Sequence, residues 1–315
     1  MRLLKKLLLF VLAAGLVFGL FLPGKSAEAT VMWGSSELKK GQIGRATIVN
    51  DTSIYKKSGD QYVYSRKAKK GEVLRVYTNR GGYLGIGSGQ FLQNNKNIKY
   101  ETPSKSRLQA VNGIKVVRKT YENTSIKYPQ VTNMADPSAE KAINSLFYNK
   151  AKEDYQAYLQ LMKDNAEHKA DWEQQANEDW PVWVDYSLST DYEVHYNYNN
   201  QLSIVLYTSV YYGGAHPLTG AETFNFNAAN GKQYELKHIM NNKTKTVKNY
   251  AIKDLQNQHK RGNVVFLDSL NSIQIGSSQA WVFHNKGIKL IFQQYEVAPY
   301  AAGFPTVVVP GSVYK

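Results

Sequence analysis

Hydrophobic and polar residues alternate in short runs between residues 41 and 93. Clusters of Asn, Asp, Ser and Gly separate the runs, and no window keeps the spacing of a helix for more than two turns. The runs richest in β-forming residues are residues 46–49, 62–64, 73–77 and 83–86. This pattern predicts an all-β small barrel over residues 30–95.

Residues 96–110 break this alternation. Pro103, Ser104 and Ser106 stand there among charged residues, a composition typical of a connection between domains. We therefore predict a linker at residues 96–110, and a chain of 315 residues is long enough for a domain on either side of it.

The pattern after the linker combines helices and strands. Asp136 and Pro137 predict a helix start, because Asp caps free N–H groups and Pro is tolerated at the first helical position. Apolar residues then recur every three or four positions as far as Met162, and again within residues 245–261, which predicts two core-facing helices. Strands are predicted at residues 113–121, 125–131, 182–198, 202–211, 219–227, 232–236, 273–275, 280–284, 288–295 and 306–309. We predict an α+β domain over residues 111–315, an antiparallel sheet with two or three packed helices.

Two loops in this domain combine chain-bending Gly or Pro with large aromatic side chains. They are predicted at residues 211–217 and 295–305, each after a well-patterned strand. Tyrosine offers a large contact area at a small entropic cost, so such loops suit a rigid recognition surface. The predicted binding residues are Tyr211, Tyr212, His216, Tyr295, Glu296, Pro299 and Tyr300.

The amino-acid sequences of the same loops also resemble those of a known family. Residues 212–216 read Tyr-Gly-Gly-Ala-His, a predicted hairpin occupies residues 224–236, and residues 295–303 read Tyr-Glu-Val-Ala-Pro-Tyr-Ala-Ala-Gly. Together they resemble the extracellular domain of the anti-sigma-V factor RsiV, a family long described only as a domain of unknown function. The resemblance implies an extracellular α+β domain that binds rather than reacts. In that family one described use is binding lysozyme, and another is as an accessory domain joined to peptidoglycan deacetylases.

A second resemblance lies in the β-rich part. Residues 70–77 read Lys-Gly-Glu-Val-Leu-Arg-Val-Tyr, and residues 82–92 read Gly-Tyr-Leu-Gly-Ile-Gly-Ser-Gly-Gln-Phe-Leu. Both phrases resemble the later half of a bacterial SH3-like domain, which implies that residues 30–95 have this fold. The glycines in the second phrase are interpreted as turn residues, because no helix follows them to complete a phosphate-binding loop.

The first residues have the pattern of a secretory signal. Basic residues precede an uncharged apolar run at residues 7–22, and Ala27-Glu28-Ala29 fits a small-x-small cleavage site. The apolar run has sixteen residues, fewer than the ~20 that a spanning helix needs. We predict cleavage after Ala29 and a secreted or cell-wall-associated protein. An uncleaved membrane anchor is the alternative, but it would leave only six cytoplasmic residues, too few to hold a sigma factor.

The charge of the chain is concentrated behind this signal. Residues 30–109 contain 15 Lys or Arg and 5 Asp or Glu residues, a net charge of +10 within a chain of net charge +14. In a Gram-positive type envelope such charge would attract teichoic acid or the carboxylates of peptidoglycan, and the attraction would weaken as salt rises. A solvated face that keeps the protein soluble is the alternative. No stacking platform accompanies the cations, so nucleic acid is not a predicted partner. The predicted basic face comprises Lys56, Lys57, Arg66, Lys67, Lys69, Lys70, Arg75 and Arg80.

The candidate chemistry is sparse. Cysteine is absent and the six His show no metal-binding spacing, so neither a metal nor another cofactor is predicted. His216 lacks a sequence partner for catalysis and is expected to fix its turn, while Glu296, a single carboxylate, is expected to cap N–H groups or pair with a cation. The acidic segment 167–179 is interpreted as solvated helix surface, and three tryptophans beside it, Trp172, Trp180 and Trp183, as anchors of the helix to the sheet. We predict a binding protein and not an enzyme. The alternatives are a peptidoglycan hydrolase, a deacetylase accessory protein or a tethered envelope-stress sensor.

Overall fold

The computed structural model describes residues 30–122, 124–177 and 180–315, so the predicted signal peptide lies outside the described residues. The first third of the described chain is almost entirely β-strand. Its strands are β1 Met32–Trp33, β2 Ser36–Glu37, β3 Gly44–Ile48, β4 Thr52–Ser58, β5 Gln61–Ala68, β6 Val73–Val76, β7 Thr78–Arg80, β8 Tyr83–Gly87, β9 Gln90–Gln93 and β10 Ile98–Glu101.

These strands form antiparallel sheets around one core. β1 pairs with β2, three strands follow the order β10-β3-β6, and five follow the order β5-β4-β9-β8-β7. The two larger sheets bury one shared cluster, to which Ile48, Val76 and Ile98 come from the first and Ile54, Leu84 and Leu92 from the second. The prediction of a β unit is therefore confirmed, and its SH3-like class stays a prediction.

The segment predicted as a linker differs from that prediction. It contains strand β10, which pairs with β3, and helix α1 Lys105–Asn112, which is capped by the Ser104 side chain. Ala110 and Val111 of α1 bury against Val31 and Leu38 of the β1–β2 region. The connection is thus ordered because its few apolar residues pack, which its charged composition concealed.

The remaining described chain forms three further sheets and four helices. Its elements are β11 Lys115–Thr120, β12 Lys127–Thr132, α2 Pro137–Gln175, β13 Ser187–Tyr198, β14 Gln201–Tyr211, β15 Leu218–Asn227, β16 Lys232–Gln233, α3 Leu236–Ile239, α4 Thr244–Lys260, β17 Ala280–His284, β18 Gly287–Ile291, β19 Thr306–Pro310 and α5 Gly311–Tyr314, with 3-10 turns at Leu267–Ser272 and Tyr300–Ala302. β11 pairs with β12, and the two larger sheets follow the orders β13-β14-β15-β16 and β17-β18-β19. All of these pairs are antiparallel. The α+β prediction is confirmed at this level.

Strand β14 lies in the centre of the larger sheet and is buried on both faces. Ile204 joins the cluster under α2, whereas its neighbour Val205 joins a cluster shared with β17 and β18. Successive strand residues point to opposite faces, so a strand covered on both sides needs an unbroken apolar run. The sheet is therefore sandwiched between α2 and the smaller sheet.

Helix α2 begins where the sequence predicts. The Asp136 carboxylate accepts hydrogen bonds from the backbone N–H groups of Ser138 and Ala139, and Pro137 occupies the first turn. Every core cluster draws its residues from Val31 onward. Cleavage after Ala29 would leave residues 30–315, which contain all of the described core clusters.

Four strand predictions need correction. The strand predicted at residues 288–295 ends at Ile291, the last residue of β18. Residues 182–186 are irregular because Trp183 packs on Trp172 of α2, so the segment runs beside the helix and β13 starts at Ser187. Residues 273–275 do not form a strand. Ile273 and Ile275 are both buried in the core, which explains their alternation, but the segment pairs with no neighbouring strand of the described chain. The strand predicted at residues 232–236 shrinks to β16, since α3 begins at Leu236.

Candidate functional site

The first predicted loop is the connection between β14 and β15. The last paired residues of the two strands are Val210 and Leu218, so residues 211–217 project from the end of the sheet. Gly213 has a φ of +79°, and a Cβ at this position would lie 3.3 Å from the carbonyl oxygen of Val184. The Tyr211 hydroxyl donates to the carbonyl oxygen of Gly214 at 2.8 Å. The loop is bent by glycine and held in place by its own tyrosine.

The second predicted loop is attached to the base of the first by two glutamines that follow β18. The Gln293 amide accepts from the backbone N–H of Ala221 at 3.0 Å and donates to its carbonyl oxygen at 2.8 Å. The Gln294 amide accepts from the N–H of Thr219 at 3.1 Å. Both side chains thereby take the place of a neighbouring strand along β15, which brings residues 295–305 beside residues 211–217.

His216 joins the two loops. Its Nε2 lies 2.9 Å from the Tyr295 hydroxyl, and its ring stacks on Tyr300 with centroids 3.7 Å apart and planes 16° apart. Its Nδ1 lies 2.9 Å from the carbonyl oxygen of Pro217, which can only accept, so Nδ1 carries a proton and donates to this oxygen. Both ring nitrogens have a partner and one ring face is covered, an arrangement suited to holding the loops.

Aromatic rings remain accessible on this joined surface. Tyr212 is 57% exposed and Tyr295 is 50% exposed, and Tyr295 adopts a φ of +64°, which is uncommon for a residue other than glycine. Pro299 begins the 3-10 turn that carries Tyr300. A groove of about 500 Å³ runs beside the first loop and is lined by Ser187, Ser189, Ser209, Tyr211, Ala215, His216 and Pro217.

Glu296 has a structural contact within its own loop. Its Oε2 accepts from the backbone N–H of Gln293 at 2.7 Å. Burial raises the pKa of Glu296, and the hydrogen bond from Gln293 opposes this shift. The geometry matches the expectation that Glu296 caps an N–H group.

The three nearby tryptophans lie in two different environments. Trp172 and Trp183 are half-buried against each other, with ring centroids 6.1 Å apart, whereas Trp180 is exposed. Trp183 also lies 5.6 Å from Tyr186, whose ring is 5.5 Å from Tyr212. Trp172 and Trp183 therefore hold the end of α2 against the residues that lead into β13 and extend the aromatic surface of the first loop, whereas Trp180 is not an anchor. Their spacing beside an acidic stretch was the available signal.

A polar network that the sequence does not predict lies between the two sheets. The Nζ of Lys289 lies 3.0 Å from Nδ1 of His195, and Nε2 of His195 lies 3.1 Å from the Glu193 carboxylate. Burial lowers the pKa of both His195 and Lys289, and burial together with Glu193 raises the pKa of Tyr207 to about 12. A neutral His195 that accepts from Lys289 and donates to Glu193 satisfies all three groups, so the network joins the sheets.

The predicted basic residues are distributed differently from the prediction. Lys56 and Lys57 are successive residues of β4, and Arg66 and Lys67 are successive residues of β5, so each pair points to opposite faces. The eight cations therefore do not share one face.

Carboxylates also offset part of this charge. Asp51 pairs with Lys67 at 3.1 Å and Lys69 at 3.4 Å, while Glu72 pairs with Arg66 at 3.1 Å. The backbone N–H of Lys70 and the Lys67 side chain lower the pKa of Asp51 to about 2. The net positive charge of residues 30–109 is therefore spread over the whole N-terminal unit and is not concentrated on one face.

The described ranges 30–122, 124–177 and 180–315 contain no group of three or more His, Asp or Glu residues placed to hold a metal ion. Among the helices of these ranges, none has the length and apolar character needed to cross a membrane.

Comparison with known families gives two matches within residues 111–315. Residues 114–219 match the family model described as Deacetylase PdaC, and residues 235–312 match the one described as Protein of unknown function (DUF3298). The boundary between the two falls after the first loop, so the surface described above takes one loop from each match. No curated protein matches the chain.

Two solved structures are similar to this chain. One is a DUF3298 family member from Bacteroides fragilis NCTC 9343, with 17% identity, 63% of this chain and 89% of that chain covered, and a TM-score of 0.44. The other is a DUF3298 family protein from Pseudomonas aeruginosa PAO1, with 13% identity, 64% of this chain and 93% of that chain covered, and a TM-score of 0.38.

Proposed function

We propose that this chain is a binding protein of the bacterial cell envelope, exported and retained at the wall. The observation that carries the proposal is the contact of His216 with Tyr295 and Tyr300, which joins two loops into one surface with accessible rings. Rigid tyrosines lose little conformational entropy on contact with a partner, which favours recognition. The partner of this surface is a protein, with lysozyme as a candidate, or a glycan.

The N-terminal unit supplies attachment in this proposal. Its net charge of +10 over residues 30–109 creates a long-range attraction for teichoic acid and for peptidoglycan carboxylates. Because the cations occupy both sides of the strands, this attraction depends on total charge more than on one complementary face. Binding of this kind weakens as added salt screens the charges.

A role as the accessory part of a peptidoglycan deacetylase is the second candidate. The match of residues 114–219 to the model described as Deacetylase PdaC favours it. In that role the same surface would hold wall material near a catalytic domain. The single carboxylate of the surface, Glu296, is already bonded to Gln293, which argues against catalysis by the loops themselves.

Retention on purified cell walls tests the proposal. Residues 30–315 are expected to bind peptidoglycan that carries teichoic acid, to bind less after the teichoic acid is stripped, and to elute as salt rises. A variant with Lys56, Lys70 and Arg80 changed to Gln should elute at lower salt. A control with Lys245, Lys253 and Lys286 changed to Gln removes the same charge from the other half and should elute close to the unchanged protein.

The loop surface is tested in parallel with immobilised lysozyme and with soluble glycan fragments. His216→Ala should reduce binding to whichever of them is retained. A protein that binds neither wall material nor lysozyme nor glycan at low salt would refute the proposed function.

A further inference from the structure

The last part of helix α2 contributes only the half-buried Met162 to the core. The helix extends over Pro137–Gln175, yet all of its buried residues lie at or before Leu161. Beyond that point it packs on the irregular residues 180–186, which return along it toward β13. We call residues 162–177 and 180–186 the arm.

Specific contacts hold the arm in shape. Asn165 accepts from the backbone N–H of Tyr186 at 2.8 Å and donates to the Asp185 carboxylate at 3.2 Å, which also accepts from the indole N–H of Trp183 at 2.9 Å. The ring of His168 bonds to the Tyr186 hydroxyl at 2.9 Å. A surface that is already ordered loses less entropy when a partner binds it.

Large apolar side chains of the arm nevertheless face solvent. Trp180 is 42% exposed, Val182 is 86% exposed and Val184 is 47% exposed, all within five residues of chain. In the same segment the half-buried Trp183 lies 5.6 Å from Tyr186, whose ring lies 5.5 Å from Tyr212, the exposed ring of the first loop. Tryptophan and tyrosine dominate the binding energy of many protein interfaces, and adjoining exposed apolar residues mark such interfaces.

The arm also carries the opposite charge to the N-terminal unit. The arm contains five Asp or Glu and two Lys residues, a net charge of −3. Lys163 and Lys169 pair with Glu167 and Asp185, both at 3.7 Å, so the exposed Asp171 and Glu173 leave the field negative. Hydrogen bonds from Asn165 and Trp183 lower the pKa of Asp185, so this carboxylate stays charged. Such a field attracts a cationic surface and repels anionic wall polymers and lipids.

We propose that the arm is the docking surface for a cationic protein, in which its apolar residues make the contact and its carboxylates select the charge. The proposal rests on the binding function proposed above and gives its aromatic surface a partner of stated chemistry. The charge of the arm favours a cationic protein over a neutral sugar, which an electrostatic field does not attract.

Binding of residues 30–315 to a panel of purified proteins tests the proposal. The panel contains lysozyme, ribonuclease A and cytochrome c as basic proteins, ovalbumin as an acidic protein, and chitin oligosaccharides as sugars. We expect at least one basic protein to bind with salt-dependent affinity, and ovalbumin not to bind. An apolar variant, W180A/V182S, should raise the Kd at least tenfold.

A charge variant, E167Q/D171N/E173Q, should also raise the Kd about tenfold and flatten its salt dependence. Val264→Ser removes an exposed valine outside the arm and should leave the Kd unchanged. All of these positions are exposed, so the variants are expected to fold, and circular dichroism checks this.

Each contrary outcome has a distinct meaning. If a basic protein binds equally well to both arm variants but not to His216→Ala, the docking proposal is wrong while the loop surface stands. Binding of oligosaccharides that the apolar variant abolishes, without binding of any basic protein, makes the arm a glycan site and overturns the proposal. If nothing in the panel binds, the docking proposal fails, and the cell-wall assay decides the proposed function separately.

Discussion

The coupling of the two loops through His216 can be tested by removing its side chain. His216→Ala deletes the hydrogen bond to Tyr295 and the stacking on Tyr300. A neutral hydrogen bond contributes ~0.5–1.5 kcal/mol and an aromatic pair a similar ~0.5–1.5 kcal/mol, so about 2 kcal/mol of loop coupling should be lost. Because the rings are only half-buried, the loss should appear as local opening and not as unfolding of the core.

Hydrogen exchange measured by mass spectrometry reads this opening directly. The amides of Ala302 and Gly303 bond to the carbonyl oxygens of Pro299 and Tyr300 at 2.9 Å, so they report on the turn that carries Tyr300. A loss of about 2 kcal/mol should accelerate their exchange about 30-fold, since each 1.4 kcal/mol corresponds to a factor of ten. Tyr295→Phe removes only the hydroxyl and should accelerate exchange about fivefold, as a loss of about 1 kcal/mol requires.

Tyr212→Ala provides the matched control. Tyr212 belongs to the same loop as His216, but its ring contacts Tyr186 and not the second loop. It should leave the exchange of residues 299–305 unchanged. If His216→Ala also leaves these residues at the original rate, then Gln293 and Gln294 hold the loops without help from His216, and one joined surface is the wrong description.

Three further predictions concern Glu296, the core and export. The pKa of Glu296 is raised above its ordinary value of 4.5 in the fold, so ionisation costs stability, and Glu296→Gln should gain stability over the original protein as pH rises through and above 4.5. Urea unfolding at pH 4 and pH 7 checks this, and an equal difference at both values would contradict it. Ile204→Ala should cost ~2–5 kcal/mol of unfolding free energy, whereas Val194→Ala, on an exposed position of β13, should stay within ~0.5 kcal/mol in the same assay. Mass spectrometry of the exported protein should find Thr30 at the N-terminus, and an intact N-terminus would instead support the anchored form.

The sequence predicts elements well where one local cause decides them. Asp136 and Pro137 set the start of α2 because capping and a fixed φ act within one turn. The unbroken apolar run of β14 likewise follows from its burial on both faces. The strand prediction at residues 273–275 was wrong for a related reason. Alternation shows which side chains are buried but not whether a neighbouring strand is present to pair with the segment.

The meeting of the two loops has no such local cause. His216 and Tyr295 are 79 positions apart, and their contact depends on glutamine side chains that occupy the open edge of β15. Glutamines after a strand have many other uses, so nothing in the sequence singles out this one. The arm was missed for a different reason. Tryptophans usually lie in cores, and only the end of the buried stripe of α2 at Leu161 shows that these do not.

The separation of charge within the chain affects how the two proposed activities would combine. A cationic protein would be repelled by residues 30–109, of net charge +10, but attracted by the arm, of net charge −3. The same cationic protein is also attracted to the anionic polymers that retain the N-terminal unit. Wall material would then concentrate both molecules, which raises the effective concentration of the partner at the arm even where the pairwise affinity is weak. Binding to immobilised lysozyme should therefore be stronger when soluble teichoic acid is present at a low concentration than when it is absent. At a high concentration the polymer should coat the two proteins separately and weaken binding, and a steady decrease from the first addition would argue against this cooperation.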